Sequence, residues 1–194
     1  VPDHSLMSAG LDFYGLDIYP KGGRMTQPDL AFSYDLWRSF CRSGGAEFHI
    51  TELQGGQNVR WGAPIYVKGP EIKEWTDLAF EHGCLALLYH NWKPPMFGAE
   101  TQGFGILKSD GSSTKRLEVI KQLAKKIKNL DRRTSNTEHR TAIAYLRSSE
   151  IQTYQEQGPP RGIAGQWEPV RVEIGLMHTL MSLPGAHLAA YKKG

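Results

Sequence analysis

Apolar positions in this chain follow two alternating rhythms. Short runs of aromatic and branched side chains bounded by Gly or Pro mark strands, and stripes recurring every three or four residues mark helices. Leu11 to Tyr19 is the first run and stops at Pro20. Pro28 to Phe40 then places Leu30, Tyr34, Leu36, Trp37 and Phe40 on one helical stripe, which Gly44-Gly45 ends. Glu47 to Thr51 is a second strand and delivers Glu52 at its end. After a long loop, Pro70 opens a helix in the favoured first turn. Ile72, Trp75 and Ala79 carry that helix to a cap at Gly83. Leu85 to His90 is continuous and apolar, the pattern of a strand covered on both faces. A last amphipathic helix runs from Lys115 to Leu130 on Leu117, Ile120, Leu123, Ala124, Ile127 and Leu130, with serines just before it as caps.

Residues 11 to 130 thus alternate strand and helix three times, an order that implies parallel strands joined by crossover helices. The loops after the strands are long and those before them short, as in a (β/α)8 barrel, whose site is built from loops at the carboxyl ends of the strands. Three strands cannot close an eight-stranded barrel, and the exposed edges of an open one invite pairing. The reading is therefore a partial barrel over residues 1–131, part of a larger protein. Val1-Pro2-Asp3 fits this, entering without an initiator Met and running almost at once into a strand. The polar stretch from Asp131 to Arg140 reads as a linker, so that 132–140 separates the barrel portion from a second unit at 141–194. That unit has a strand at Thr141–Leu146, a loop at Gly158–Gly165, a helix at Glu168–Leu183 and a strand at Ala186–Tyr191, and reads as an incomplete α/β domain.

Composition narrows the chemistry mainly by exclusion. The 194 residues are 40% hydrophobic, enough for one compact domain or two small ones. A formal charge of +3, with Lys and Arg spread along the chain, gives no nucleic-acid footprint. The run Lys125-Lys126-Ile127-Lys128 reads as a solvated helix face. No apolar stretch approaches the ~18 residues of a membrane span. Cys41 and Cys84 form no disulfide framework or metal spacing, and two reduced thiols fit a cytoplasmic protein. The seven histidines are not paired at metal spacing. There is no Ser nucleophile elbow and no Gly-Lys-Ser phosphate loop, and Gly103-Phe104-Gly105 lacks the third glycine of a dinucleotide loop. The expectation is no metal and no cofactor.

Glu52 is the outstanding candidate, a carboxylate where a strand meets the loop Leu53-Gln54-Gly55-Gly56-Gln57-Asn58. The strand would hold the carboxylate while the loop shapes a pocket. Cleaving a glycosidic bond with retention needs one carboxylate to attack the anomeric carbon and a second, about 5 to 5.5 Å away, to protonate the leaving oxygen. On its own, a strand-terminal Glu is also explained by capping or a surface ion pair. Tyr19, Trp61, Tyr89 and Trp92 fall at strand ends or in the following loops, where aromatic rings would stack on the apolar faces of sugars. Asp17, His90, Asn91 and Glu100 could add hydrogen bonds.

The order of motifs is specific. Leu16-Asp17-Ile18-Tyr19-Pro20, Tyr34-Asp35-Leu36-Trp37-Arg38-Ser39 and Ile50-Thr51-Glu52-Leu53-Gln54-Gly55-Gly56 with Trp61 soon after resemble glycoside hydrolase family 42. So do Trp75 to Gly83, Leu88-Tyr89-His90-Asn91-Trp92 and Phe97-Gly98-Ala99-Glu100. The resemblance implies a retaining β-galactosidase acting on a galactoside or oligosaccharide, with these strands the sixth to eighth of the barrel. It implies that Glu52 is the nucleophile, Tyr19 a subsite residue, Trp61 a lining residue of the galactose site and Glu100 a ligand of sugar hydroxyls. Asp17 and Trp92 join them as expected substrate-binding residues. It further implies that 141–194 begins a flavodoxin-like trimerisation domain, so that the full-length protein is a homotrimer. The chain departs from the pattern at Gly103, where the family often has His, and at Arg60 before the site Trp. The general acid/base, a Glu in an Asn-Glu pair after the fourth strand, is not in this chain, so the fragment alone is expected to be inactive. Two alternatives stand beside this reading: another retaining barrel glycosidase of the same clan, and a non-catalytic carbohydrate-binding or assembly fragment.

Overall fold

The computed structural model describes residues 3–60, 64–128, 143–146 and 188–191, the last two segments by backbone alone. Its centre is a parallel sheet of β1 (Phe13–Ile18), β2 (Glu47–Gln54) and β3 (Ala86–His90) in that order, with β2 in the middle. α2 (Gln27–Gly44) crosses from β1 to β2, α3 (Gly69–Glu81) from β2 to β3, and α4 (Lys115–Lys128) follows β3. The alternation read from the sequence is the observed one, an α/β unit on a three-stranded parallel sheet.

Local chemistry sets the helix ends. Thr26 and Asp29 form a reciprocal capping box at the start of α2, and Gly45 closes the other end at φ 80°. The helix runs four residues beyond Phe40 because its last turn buries Cys41 at 1% exposure against the sheet. Pro70 lies in the first turn of α3, and the Lys68 N–H donates to the Glu71 carboxylate. At α4 the capping hydroxyl belongs to Thr114, not to the preceding serines. Its Oγ1 accepts from the Leu117 N–H and donates to the Ile106 carbonyl, tying the helix start to the loop after β3. A short helix, α1 (His4–Met7), stands where the sequence reading ran straight into a strand. Asp3 caps it by accepting from the Ser5 and Leu6 N–H groups, and one turn is too short to show a helical period.

One face of the sheet carries the core. Ile18, Phe48, Ile50 and Leu53 pack against Leu30, Tyr34 and Cys41 of α2, Ile72, Trp75 and Ala79 of α3, and Leu123 of α4. Burial of each Leu, Ile or Phe among them is worth roughly 1.5–3 kcal/mol. Lys126 of α4 reaches across to Asp77 of α3 at 2.9 Å, so the basic run faces solvent and a neighbouring acid. The opposite face is open, and this corrects the reading of β3 as a strand covered on both sides. Leu88 is 63% exposed and Phe13 of β1 is 50% exposed, because among the described residues the helices cover one face only.

β4 (Ile143–Leu146) and β5 (Leu188–Tyr191) pair in parallel as a separate two-stranded sheet, at the positions of the two strands expected there. The expected linker at 131–140, loop at 158–165 and helix at 168–183 lie outside the described residues. No helix among the described residues is long and apolar enough to cross a membrane.

Candidate active site

The carboxyl ends of the three strands converge on Glu52, and an irregularity in β2 aims it. Leu16 pairs with Ile50, but the next residue of β1, Asp17, pairs with Glu52. On the other side Ile50 pairs with Leu87 and Leu53 with Tyr89, so Thr51 and Glu52 together oppose Leu88 alone. Thr51 is the extra residue of a β-bulge. Phe48 and Ile50 point into the helix-covered core, at 3% and 1% exposure. Strict alternation would send Glu52 the same way and turn Leu53 outward. The bulge reverses the parity, so Leu53 is fully buried and Glu52 stands on the open face with its side chain 38% exposed.

Three strand ends supply its neighbours. The Tyr19 hydroxyl donates to Glu52 Oε2. His90, ending β3, sets Nδ1 3.7 Å from Glu52 Oε1 and Nε2 3.3 Å from Glu100 Oε2. Arg60 then donates to Glu100 Oε1 at 3.1 Å. Fully buried Phe104 packs edge-on to Tyr19 and tilted to His90, with centroids 5.2 and 5.6 Å away. Below the carboxylate, Gln54 is fully buried and accepts from the Lys21 and Gly22 N–H groups while donating to the Gly56 carbonyl. It pins the loop after β1 to the loop after β2. A Cβ on Gly56 would fall 2.7–2.8 Å from the backbone of Phe104 and Gly105, so only glycine lets the β2 loop lie against the loop after β3. The His90–Asn91 peptide at the end of β3 is cis.

Electrostatics set the states of Tyr19 and Glu100. Burial, then the hydrogen bond and charge of Glu52, then the charges of Asp17 and Glu100 push the Tyr19 phenol far above its ordinary range. It stays protonated, and so a donor, across the neutral range. Desolvation pushes the Glu100 carboxyl up, but the hydrogen bonds and charges of Arg60 and His90 outweigh this and hold it below the usual carboxylate range. Glu52 is thus a partly exposed carboxylate with one oxygen held by a neutral donor and the other turned toward an imidazole.

The candidates from the sequence separate accordingly. Tyr19, Glu52 and Glu100 meet through direct contacts and through His90. Asp17 is exposed and accepts from the Thr51 hydroxyl at 2.8 Å, which ties it to the bulge. Trp92 is 61% exposed. Trp61 lies outside the described residues. Tyr89 turns toward the helices and bonds the Thr76 hydroxyl at 2.8 Å, a core role. The sequence reading passed over the bridging role of His90, the packing of Phe104 and the bulge at Thr51. His90 itself stands among the hydrogen-bonding groups read from the sequence, whereas Phe104 and Thr51 carried no local signal for their roles. No group of three or more His, Cys, Asp or Glu residues is placed to hold a metal ion among the described residues.

A parallel sheet backed by helices, with polar groups gathered at the carboxyl ends of its strands, is the arrangement on which α/β folds build their sites at that end. The family model for glycoside hydrolase family 42, described as β-galactosidase, matches residues 1–130, and the chain belongs to that family. β-Galactosidase LacZ of Heyndrickxia coagulans is 27% identical over 128 residues, covering 65% of this chain and 19% of that protein. β-Galactosidase BgaH of Haloferax lucentense is 27% identical over 142 residues, covering 64% of this chain and 21% of that protein. The β-galactosidase structure from Bacillus circulans sp. alkalophilus superposes with a TM-score of 0.78 at 15% identity, over 98% of this chain and 27% of the other. The chain therefore spans about a fifth of the curated relatives it matches.

Proposed function

We propose that this chain carries the nucleophile side of the active site of a retaining β-galactosidase. In this reading β1, β2 and β3 are the sixth, seventh and eighth strands of a (β/α)8 barrel over residues 1–131. After the 132–140 linker, residues 141–194 begin a flavodoxin-like domain through which the full-length protein forms a homotrimer in the cytoplasm. The parallel pairing of β4 with β5 and the two buried free thiols are compatible with these assignments.

The observation that carries the reading is Glu52 turned by the bulge onto the open sheet face, bonded by Tyr19 and flanked by His90. Glu52 attacks the anomeric carbon of a terminal β-D-galactoside and forms a glycosyl-enzyme, which water then hydrolyses with retention. Tyr19 orients the carboxylate through Oε2 and leaves Oε1 for attack. Glu100, held ionised by Arg60 and His90, accepts sugar hydroxyls, and Trp61, Asp17 and Trp92 complete the sugar site. The proton for the leaving oxygen comes from a second carboxylate contributed by the rest of the parent protein. General-acid help of this kind is worth about 10² to 10⁴ in rate, so the 194 residues alone turn over no galactoside.

A 2-deoxy-2-fluorogalactoside with a good leaving group, incubated with the full-length enzyme, should trap a covalent adduct on Glu52 in peptide mass spectrometry. An adduct on another residue removes the assignment. Parallel rates on β-galactosides, β-glucosides and β-mannosides decide the sugar. The Arg60–Glu100 pair, at a position where the chain departs from the family pattern, favours a shifted preference within the same chemistry.

A further inference from the structure

We infer that Gly15 and Thr51 form a steric lock that sets the β2 bulge, making Gly15 a positioning residue for Glu52. This rests on the reading of Glu52 as nucleophile only for its consequence in rate. The geometric claim stands by itself.

Gly15 lies in the middle of β1, paired with His49, on the open face of the sheet between Phe13 and Asp17. Glycine in a strand interior weakens the strand, so its presence asks for a spatial reason. The reason is Thr51. A Cβ on residue 15 would press into Thr51 Cγ2 and Oγ1 and lie 2.9 Å from Thr51 Cβ, closer than real Cβ atoms approach. The bulged side chain therefore occupies the space that a side chain at position 15 would fill. From there its hydroxyl donates to Asp17 Oδ1 at 2.8 Å, on the far side of the register shift. The notch at Gly15 and the tie at Asp17 hold the extra residue of β2 in one place.

The consequence falls on the neighbouring residue. If a side chain at position 15 expels Thr51, β2 either loses its tie to Asp17 or straightens. A straight β2 carries Glu52 toward the face where Phe48 and Ile50 are buried, away from Tyr19. An ordinary Gly→Ala change at a compatible strand position stabilises by reducing the freedom of the unfolded chain, so a loss at this site has the opposite sign from the bland expectation.

The test uses the full-length enzyme. Gly15→Ala should slow fluorosugar labelling of Glu52 by about 10²-fold, the scale of a misplacement near 1 Å, with KM little changed. In a Thr51→Gly background, which vacates the contested space, the same Gly15→Ala change should cost less than about twofold, because a clash between two touching side chains is non-additive and disappears when either one is removed. An equal loss in both backgrounds overturns the lock, as does labelling of Gly15→Ala at the wild-type rate. If Gly15→Ala does not fold, Thr51→Ala takes its place, with slower labelling expected at an unchanged melting temperature and wild-type labelling counting against the proposal. A crystal structure of the variant that folds separates this inference from the assignment of the nucleophile. Loss of the bulge and of the Tyr19–Glu52 hydrogen bond supports the lock, and an intact bulge with Glu52 unmoved ends it, whichever residue the fluorosugar labels.

Discussion

Asp35 and Glu52 each meet a histidine, and they differ in almost everything else. Asp35, on α2, is fully buried and bonds Arg38 at 2.7 Å and His82 at 2.8 Å. Arg38 in turn donates to the His82 carbonyl at 2.9 Å, so the cluster fastens α2 to the carboxyl end of α3. Glu52 is partly exposed, with one oxygen on a neutral phenol and the other 3.7 Å from an imidazole. A buried charge surrounded by countercharge and donors is spent on holding two elements together, since exposing or stranding it is costly. A carboxylate with one donor and an open side keeps the freedom to meet a substrate. Chemical composition alone does not separate the two groups, but burial and the charge of the partners do.

The sharpest way to break this contrast is Glu52→Gln in the full-length enzyme. Turnover of a β-galactoside should fall by at least ~10³-fold, the scale on which removing one member of a catalytic unit is felt, while the melting temperature stays within about a degree or two of the original, as for surface substitutions. Asp35→Ala should do the reverse. Leaving Arg38 buried without its acid costs about 3–5 kcal/mol, read as a lower melting temperature, while labelling of Glu52 per folded molecule is retained. A large activity loss in folded Asp35→Ala would merge the two clusters into one functional unit.

Tyr19→Phe removes a hydrogen bond to a charged group worth about 1.5–3 kcal/mol, which predicts a fall in kcat of roughly 10- to 100-fold. The pH dependence carries a sign. The Tyr19 phenol is raised in the folded protein, chiefly by burial and then by Glu52. Its contribution is therefore fully present below the ordinary tyrosine range near pH 10 and is lost only above it. The rate should show no alkaline limb from Tyr19 below about pH 10, and a limb at pH 8 that vanishes in Tyr19→Phe would contradict the geometry. The smallest effect is expected at the exposed Arg60–Glu100 pair. Glu100 is held low by Arg60 and His90 against desolvation, so its contribution is present at neutral pH and is lost as the pH falls through its lowered folded value. Arg60→Ala should move that acid limb upward and raise KM only a few-fold. Exposed pairs contribute about 0.2–1 kcal/mol, and added salt should shrink the difference.

Much of this architecture was legible along the chain. The stripe through Leu30 and Tyr34 and the run at Glu47–Ile50 each carried a local period, and the Gly and Pro residues marked their ends. That a glutamate stands where a strand enters a glycine-rich loop was equally plain, because it is a statement about neighbours in sequence. The one-turn α1, the Thr114 cap and the open face of β3 were not legible. The first is too short for a period, and the other two depend on what packs where. Trp92 and Tyr89 show the same limit from the side of the site. Both are aromatic and near a strand end, yet one turns to solvent and the other into the core.

What the sequence determined by itself is the succession of elements, the helix face that seeks a core, and Glu52 as an acid near the carboxyl end of the second strand, which runs on to Gln54 rather than stopping at Thr51. The direction of that acid belonged to the tertiary structure. Read by simple alternation from Phe48 and Ile50, Glu52 belongs in the hydrophobic core. It faces outward because Thr51 bulges, and Thr51 is held by a glycine notch and an aspartate 34 residues earlier in the chain. A strand's period is a local property of the backbone, but the residue that interrupts it is held in place by neighbours that only folding brings near.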